Sequence, residues 1–430
     1  MSQTTFLRRQ ALSLRPDPTR VVVRPFRLAT EPRGLNPTDI ARATRIIDRV
    51  MALDLTSAQR LLTEVLENFQ GRHRNLLATF EARADVMEGA FSPHWVLTKV
   101  QRQLVGAYFL HEYSFEAAAL FNPSIIAHPD QAGACSGEQR FILSLRAVGE
   151  GHVSSLTFRS GLIAADGSVT VDHAARLASL PRLRQPPLGA PEDCLEVVFE
   201  ADEDISGRVI FPISEAQSNG IEDARFVEFD DDGRRTFYAT YTAYSGKAIR
   251  SELIETRDFI SFRLTPLKGT AARNKGMALF PRKINGRYAM IGRQDNENLY
   301  LIYSEDLYCW GEGVTFLRPE YPWEFVQIGN CGSPIELDEG WLLLTHGVGP
   351  VRKYSIGAVL LDKADPSRVL ARSPDPLLSP QLSEREGYVP NVVYTCGAIR
   401  HNDQIILPYA VSDTYSNFAT VNIAVLLATM

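Results

Sequence analysis

GIEDARFVEFDDDGRRTFYATYTAY, residues 220–244, is the stretch from which the fold of this chain is read. Two runs rich in β-branched and aromatic residues, 221–229 and 236–244, flank an Asp-Gly pair, which is the pattern of an antiparallel hairpin closed by a tight turn. The unit recurs. NPSIIAHP with RFILSLRAV (122–129 and 140–148) precedes it, and MALFPRKI with RYAMIGRQ (277–284 and 287–294), GSPIELDEGWLLLTHGV (332–348) and VVYTCGAIRHNDQIILPYAVSD (392–413) follow. The last four begin roughly 55 to 60 residues apart, near the length of a four-stranded propeller blade, and the first is enlarged by an insertion around residues 162–210. Five units predict an all-β, five-bladed β-propeller over residues 111–430, with the openings of all units at one end of a central channel.

Residues 1–110 read as an N-terminal arm and an α-helical extension. The segment 1–35, with its alternating VVVRPF, is expected to be extended and to pair with an edge strand or wrap the body. Asn36-Pro37 supplies an N-cap and a first-turn proline, and apolar residues from Ile40 to Val50 follow at helical spacing. From Thr56 to Phe80 apolar residues recur every three or four positions, predicting one amphipathic element of up to roughly 30 residues. A third helix is expected over Trp95–Leu110. These helices are expected to cover the body or to form a homo-oligomer contact rather than to carry chemistry.

The net charge of −6 and the 22% of charged residues speak against nucleic acid as a partner. No stretch approaches the roughly 18 apolar residues of a membrane helix and the N-terminus lacks a secretory pattern, so the expectation is a cytoplasmic protein without a membrane partner. Five dispersed cysteines, Cys135, Cys194, Cys309, Cys331 and Cys396, read as buried free thiols. No cofactor and no metal site is read from the dispersed cysteines and histidines.

The chemistry-bearing cluster is Glu222-Asp223-Ala224-Arg225. Because neighbours on a strand face opposite ways, only one of Glu222 and Asp223 is expected to face the channel, the other pairing with Arg225. The Trp310, Trp323 and Tyr321 rings are candidates for stacking on sugars, and His152 and Arg159 for reaching the mouth.

With these segments in their order, the chain from about residue 121 to 430 resembles glycoside hydrolase family 130. GIEDAR is similar to the family's G-[IV]-E-D-P-R, and Asn122-Pro123 to its NP motif. KGMALFPRKINGRYAMIGR (275–293), YSIGAVLLDKADPSRVLAR (354–372), GYVPNVVYTC (387–396) and Ser412-Asp413-Thr414 also resemble family stretches. The resemblance implies a propeller whose channel mouth cleaves β-mannosides with inversion. Asp223 would be the general acid, the proton passing through a mannose hydroxyl in the phosphorylases. Lys275 and Arg293 match two members of a phosphate-binding basic triad. At the third position Glu336 stands where a lysine is usual, and a carboxylate there suits the general base of an inverting hydrolase. Asn122, Glu222, Arg225, Asp295, His346 and Asp413 match positions around the sugar.

The leading expectation is therefore an inverting β-mannosidase acting on mannooligosaccharides, including β-1,2-linked ones, with Asp223 as acid and Glu336 as base. The alternatives are a phosphorylase that uses inorganic phosphate as co-substrate and releases mannose 1-phosphate, and a non-catalytic carbohydrate-binding propeller.

Overall fold

The computed structural model describes residues 7–26, 28, 40–91, 96–231 and 233–430. Asn36-Pro37 and Trp95, the expected starts of two helices, lie outside them.

The chain divides into two compact units. One comprises residues 1–17, 116–175 and 180–430, the other residues 18–115 and 176–179. Among the described residues of the smaller unit, four helices, α1 (Ile40–Met51), α2 (Leu55–Phe69), α3 (Leu76–Phe91) and α4 (Lys99–Tyr108), accompany the antiparallel pair Val21–Pro25 and Leu110–Ser114. The single element expected from Thr56 to Phe80 is two helices. Asp54 caps α2 by accepting from Ser57 N, and after Phe69 the chain turns through Gly71 and the left-handed Asn75 (φ 48°) before α3 begins. The apolar spacing runs on across this break because Leu62 of α2 and Leu76 and Phe80 of α3 enter one buried cluster with Leu104 and Val105 of α4. Thr98 and Gln101 form a capping box at the start of α4. At Gly106 α4 comes so close to α3 that a Cβ would lie 1.9 Å from the Phe80 carbonyl oxygen.

The larger unit is built from five antiparallel meanders in chain order. The first contains Ala119–Ala127, Gln139–Val148 and Ser154–Ile163; the second Gly220–Asp231, Arg234–Tyr244, Ile249–Thr256 and Ser261–Pro266. The third contains Ala278–Leu279, Tyr288–Gly292, Leu299–Ser304 and Val314–Leu317; the fourth Gln327–Asn330, Trp341–Val348, Tyr354–Leu361 and Val369–Arg372. The fifth contains Val393–Tyr394, Gln404–Val411 and Tyr415–Asn422, and its outer strand is completed by Leu7–Leu14 from the N-terminal arm. Leu7–Leu14 of the arm thus covers an edge strand of this unit, whereas the alternating segment Val21–Pro25 pairs with Leu110–Ser114 in the smaller unit, so the arm is divided between the two.

A parallel pairing of Gly220 with Ser154 joins the first two meanders into one sheet. At Gly220 (φ 151°) a Cβ would stand 2.1 Å from the Ser154 hydroxyl oxygen, so the strand can begin here only with glycine. The insertion after Ile163 contributes short strands to both, among them Val169–Val171 on the first meander and Leu195–Val198 on the second. Neighbouring meanders bury apolar clusters against each other, the first and second through Phe158, Phe226 and Phe262, the fourth and fifth through Leu344, Ile356 and Leu407. The fifth also meets the first, through Ala410, Phe121 and Ala119, and the Leu120 amide donates to the Thr414 carbonyl.

Cys194, Cys331 and Cys396 are buried free thiols, but Cys135 and Cys309 are exposed because they fall in turns between strands. No helix among the described residues is long and apolar enough to cross a membrane.

Gly106→Ala should force α3 and α4 apart. Amide hydrogen exchange in both helices is expected to quicken more than tenfold while that of the meander strands stays as in the parent; unchanged exchange in α4 would contradict this packing.

Candidate active site

Two equivalent irregularities create the site. In the first strand of the first meander the register slips between Phe121 and Ser124, and in that of the second between Glu222 and Arg225. Each slip is a bulge with a left-handed residue, Asn122 (φ 49°) and Asp223 (φ 55°). Asparagine and aspartate tolerate this conformation better than other side-bearing residues. The bulges turn both side chains toward each other, and Asn122 Nδ2 donates to Asp223 Oδ1 at 2.6 Å.

The bulge also breaks the alternation expected of Glu222 and Asp223. Both carboxylates receive Arg146, whose Nη2 lies 2.7 Å from Glu222 Oε1 and whose Nη1 lies 3.4 Å from Asp223 Oδ1. Arg225 pairs with neither side chain, contrary to the sequence expectation. Its guanidinium donates to the carbonyls of Cys331 and Asp223, both at 3.0 Å, and to the Tyr394 hydroxyl at 2.7 Å. Arg225 therefore ties the second meander to the fourth and fifth.

The electrostatics follow from this arrangement. Burial alone would raise the Asp223 carboxyl, but Arg146, Arg225, Lys275 and the Asn122 amide outweigh it and hold Asp223 below the usual carboxylate range. Asp413 behaves in the opposite way. Burial, and then the charge of Asp223, push it up to about 6 against Arg146 and Arg352. It sits on a left-handed turn with Ser412 (φ 51° and 48°), at the end of the strand that precedes Tyr415–Asn422. His346 is driven well below its usual range by burial, then by Arg293 and Arg225, so the imidazole is neutral; Arg293 Nη1 lies 3.5 Å from its Nε2, and the Tyr394 ring lies 4.8 Å away.

Asn122, Glu222, Asp223, Arg225, Lys275, Arg293, His346 and Asp413 are thus linked by contact or by charge. Two expected members stand apart. Asp295 is consumed in its own turn, accepting from the amides of Glu297 and Asn298, from Asn298 Nδ2 and from the Tyr300 hydroxyl; despite partial burial these bonds lower it to about 2. Glu336 is forked by Arg282 at 2.8 and 3.0 Å with Lys363 at 3.6 Å, and these cations hold it below its ordinary range. It lines a separate cavity of about 430 Å³ with Glu228, Arg282 and Arg400, and none of the residues around Asp223 lines that cavity.

Several expected sugar platforms are structural. Trp310 is fully buried, Trp323 covers Gly347 and Gly357 while donating to the Pro374 carbonyl, and Tyr321 lies beneath Arg372. Arg159 is buried against Glu116, whereas His152 is exposed. Arg146 escaped the sequence reading, although a lone arginine in the apolar run FILSLRAV was its signal. Among the described residues no group of three or more His, Cys, Asp or Glu side chains could hold a metal ion.

A β-rich body that gathers half-buried carboxylates, guanidinium groups and a neutral imidazole at one point has the equipment of an enzyme that cleaves glycosidic bonds. Residues 200–430 match the sequence profile of glycoside hydrolase family 130, described as beta-1,4-mannooligosaccharide phosphorylase, and the chain belongs to that family. It is 36% identical over 208 residues to the 1,2-beta-oligomannan phosphorylase of Thermoanaerobacter sp. (strain X514), covering 47% of this chain and 68% of that protein. To the beta-1,2-mannobiose phosphorylase of Listeria innocua it is 35% identical over 216 residues, covering 48% of this chain and 58% of the relative. The solved structure of a Listeria innocua beta-1,2-mannobiose phosphorylase with beta-1,2-mannobiose superposes with a TM-score of 0.52 at 24% identity, over 73% of this chain and 92% of that one.

Asp413 provides a test of the charge arrangement. A carboxyl raised from 3.8 to about 6 favours the folded state below pH 4, and that contribution is lost as the pH rises through 6. Asp413→Asn should therefore gain stability over the parent between pH 4 and pH 8, by about 2 to 3 kcal/mol in denaturant unfolding. A difference that does not vary with pH would show that Asp413 is not buried beside Asp223.

Proposed function

We propose that the chain is an inverting β-mannoside phosphorylase, taking inorganic phosphate and releasing mannose 1-phosphate. The observation that carries this reading is the excess of cations around Asp223. Arg146, Arg225 and Lys275 all act on its charge, with Arg293 beyond the neutral His346, whereas Glu336 is already neutralised by Arg282 and Lys363. A dianion is stabilised by such a group of cations, while a hydrolytic base needs a free carboxylate near the sugar. The phosphorylase names of the two β-1,2 relatives, and the β-1,4 phosphorylase description of the family profile, support the same choice over hydrolysis.

Phosphate would attack the anomeric carbon from the face opposite the leaving oxygen. The C1–O bond to the leaving sugar breaks as the C1–O bond to phosphate forms, and the leaving oxygen takes one proton. By themselves the cations keep Asp223 ionised. Bound phosphate neutralises those cations, which raises the carboxyl toward the protonated state that a general acid requires. Asn122 fixes the orientation of Asp223, and Glu222 shares Arg146 and so keeps that cation in place. Asp413 and His346 supply hydrogen-bonding groups for mannose hydroxyls.

We also infer that the five meanders close as a five-bladed propeller around this site. The clusters buried between successive meanders, and that between the fifth and the first, support a closed ring.

Incubation of a β-1,2- or β-1,4-mannobiose with the protein should give mannose 1-phosphate only when phosphate is present; free mannose as the sole product with or without phosphate would overturn phosphorolysis. Lys275→Ala and Arg293→Ala should each raise the KM for phosphate at least tenfold. Asp223→Asn should lower kcat by about 10²- to 10⁴-fold, the range of general acid catalysis. Glu336→Gln should leave kcat within about threefold, and a loss as large as that of Asp223→Asn would restore Glu336 as the base.

A further inference from the structure

Two hairpin loops of the larger unit share one unusual design. Gly149–Val153 follows the second strand of the first meander, and Gly349–Lys353 follows that of the fourth. In each the first amide donates to the last carbonyl, Gly149 to Val153 at 3.4 Å and Gly349 to Lys353 at 2.9 Å. Each then carries a side chain on left-handed backbone at its fourth position, His152 (φ 58°) and Arg352 (φ 55°). Such strain in residues other than glycine, asparagine or aspartate concentrates where a side chain must be presented in one direction. Arg352 is presented to the site, since its charge acts on Asp413.

His152 is presented to Tyr388. Their rings stack at 5.3 Å with an interplanar angle of 27°, and Tyr388 remains 67% exposed, which no packing demand explains. Tyr388 is not on a free loop. Its amide donates to Thr414 Oγ1 and that of Val389 to the Ser412 carbonyl, both at 3.0 Å, so the backbone of Tyr388 runs alongside Asp413. Gly387 permits the approach, since a Cβ there would lie 2.6 Å from both the Ser412 Cβ and Thr414 Oγ1. The result is an exposed aromatic pair fixed beside the raised carboxyl of the site.

We propose that His152 and Tyr388 form the subsite for the leaving-group sugar, the mannose or mannooligosaccharide on the far side of the bond that is cut. This assignment rests on the glycoside-cleaving reading of the Asp223 site. The exposed ring faces offer an apolar surface to the C–H face of a pyranose, while the imidazole N–H and phenol O–H can bond its hydroxyls. The side-chain contact of the pair is with each other, and among the described residues none is recorded to Asp223, Arg146, Lys275 or Arg293, so in this reading it sets affinity for the leaving sugar and not the chemistry.

The test compares β-mannobiose with β-mannosyl fluoride, whose departing fluoride fills no sugar subsite. In Tyr388→Ala and His152→Ala the KM for mannobiose should rise about 5- to 20-fold, with kcat/KM for the fluoride within twofold of the parent; Tyr388→Trp should retain the parental KM. An unchanged KM for mannobiose, or an equal loss on both substrates, overturns the assignment. The parent's products judge the other reading separately, because mannose formed without mannose 1-phosphate rejects phosphorolysis and leaves this comparison intact. If the parent turns over neither substrate, saturation-transfer NMR with mannobiose replaces it, and binding unaffected by Tyr388→Ala overturns the subsite.

Discussion

The site depends on a pair of β-bulges. Without them, Asn122 and Asp223 would lie on strands of ordinary pleat, and each would face the interface between meanders or away from its partner. The extra residue in each strand and its left-handed backbone turn both side chains to one point, where the Asn122 amide bonds the Asp223 carboxylate. A left-handed residue costs about 1 to 2 kcal/mol, a charge-assisted bond returns a similar amount, and Arg225 adds to the balance by fastening the Asp223 carbonyl to Cys331 and Tyr394. The bulge is therefore held by the meanders around it, and it holds them in turn.

Charge balance is the second constraint. Arg146 is half-buried with Asp223 and Glu222, and its removal from water by itself would disfavour its charge; those carboxylates and Asp413 more than compensate and raise its affinity for the proton. Two carboxyls that sense one another then separate, with Asp223 held ionised by the nearer cations and Asp413 raised toward neutrality. A site so arranged is poised for an incoming anion. The same physics acts on Glu336, where the fork of Arg282 and the flanking Lys363 hold the carboxylate in its ionised form and weaken it as a proton acceptor.

Local patterning made much of this legible. Alternating apolar residues around Asp-Gly and Asn-Gly turns mark the hairpins, and the repeated units fall on the antiparallel meanders. Asp223 was visible through its motif, as were Asn122 and Asp413. What sequence could not show is long-range. A bulge looks like ordinary strand, so the period-two rule misassigned the partners of Glu222, Asp223 and Arg225. Asp295 matched a position in a motif, yet its carboxylate closes its own turn. Glu336 was judged by its place in a motif, but its partner Arg282 lies 54 positions away in LFPRKI, a pairing that only the fold creates. The break between α2 and α3 was hidden because both helices feed one apolar cluster.

The central claim is that the cations around Asp223 receive a phosphate. Calorimetric titration of the protein with inorganic phosphate near pH 6.5, repeated in buffers of different ionisation enthalpy, addresses it most directly. The account predicts saturable binding, weakened at least tenfold in Lys275→Ala; the proton that phosphate gives up on binding as a dianion is offset by those that Asp223 and Asp413 take up, because a new anion raises their carboxyls. Absence of saturable binding, or binding unchanged in Lys275→Ala, would contradict it.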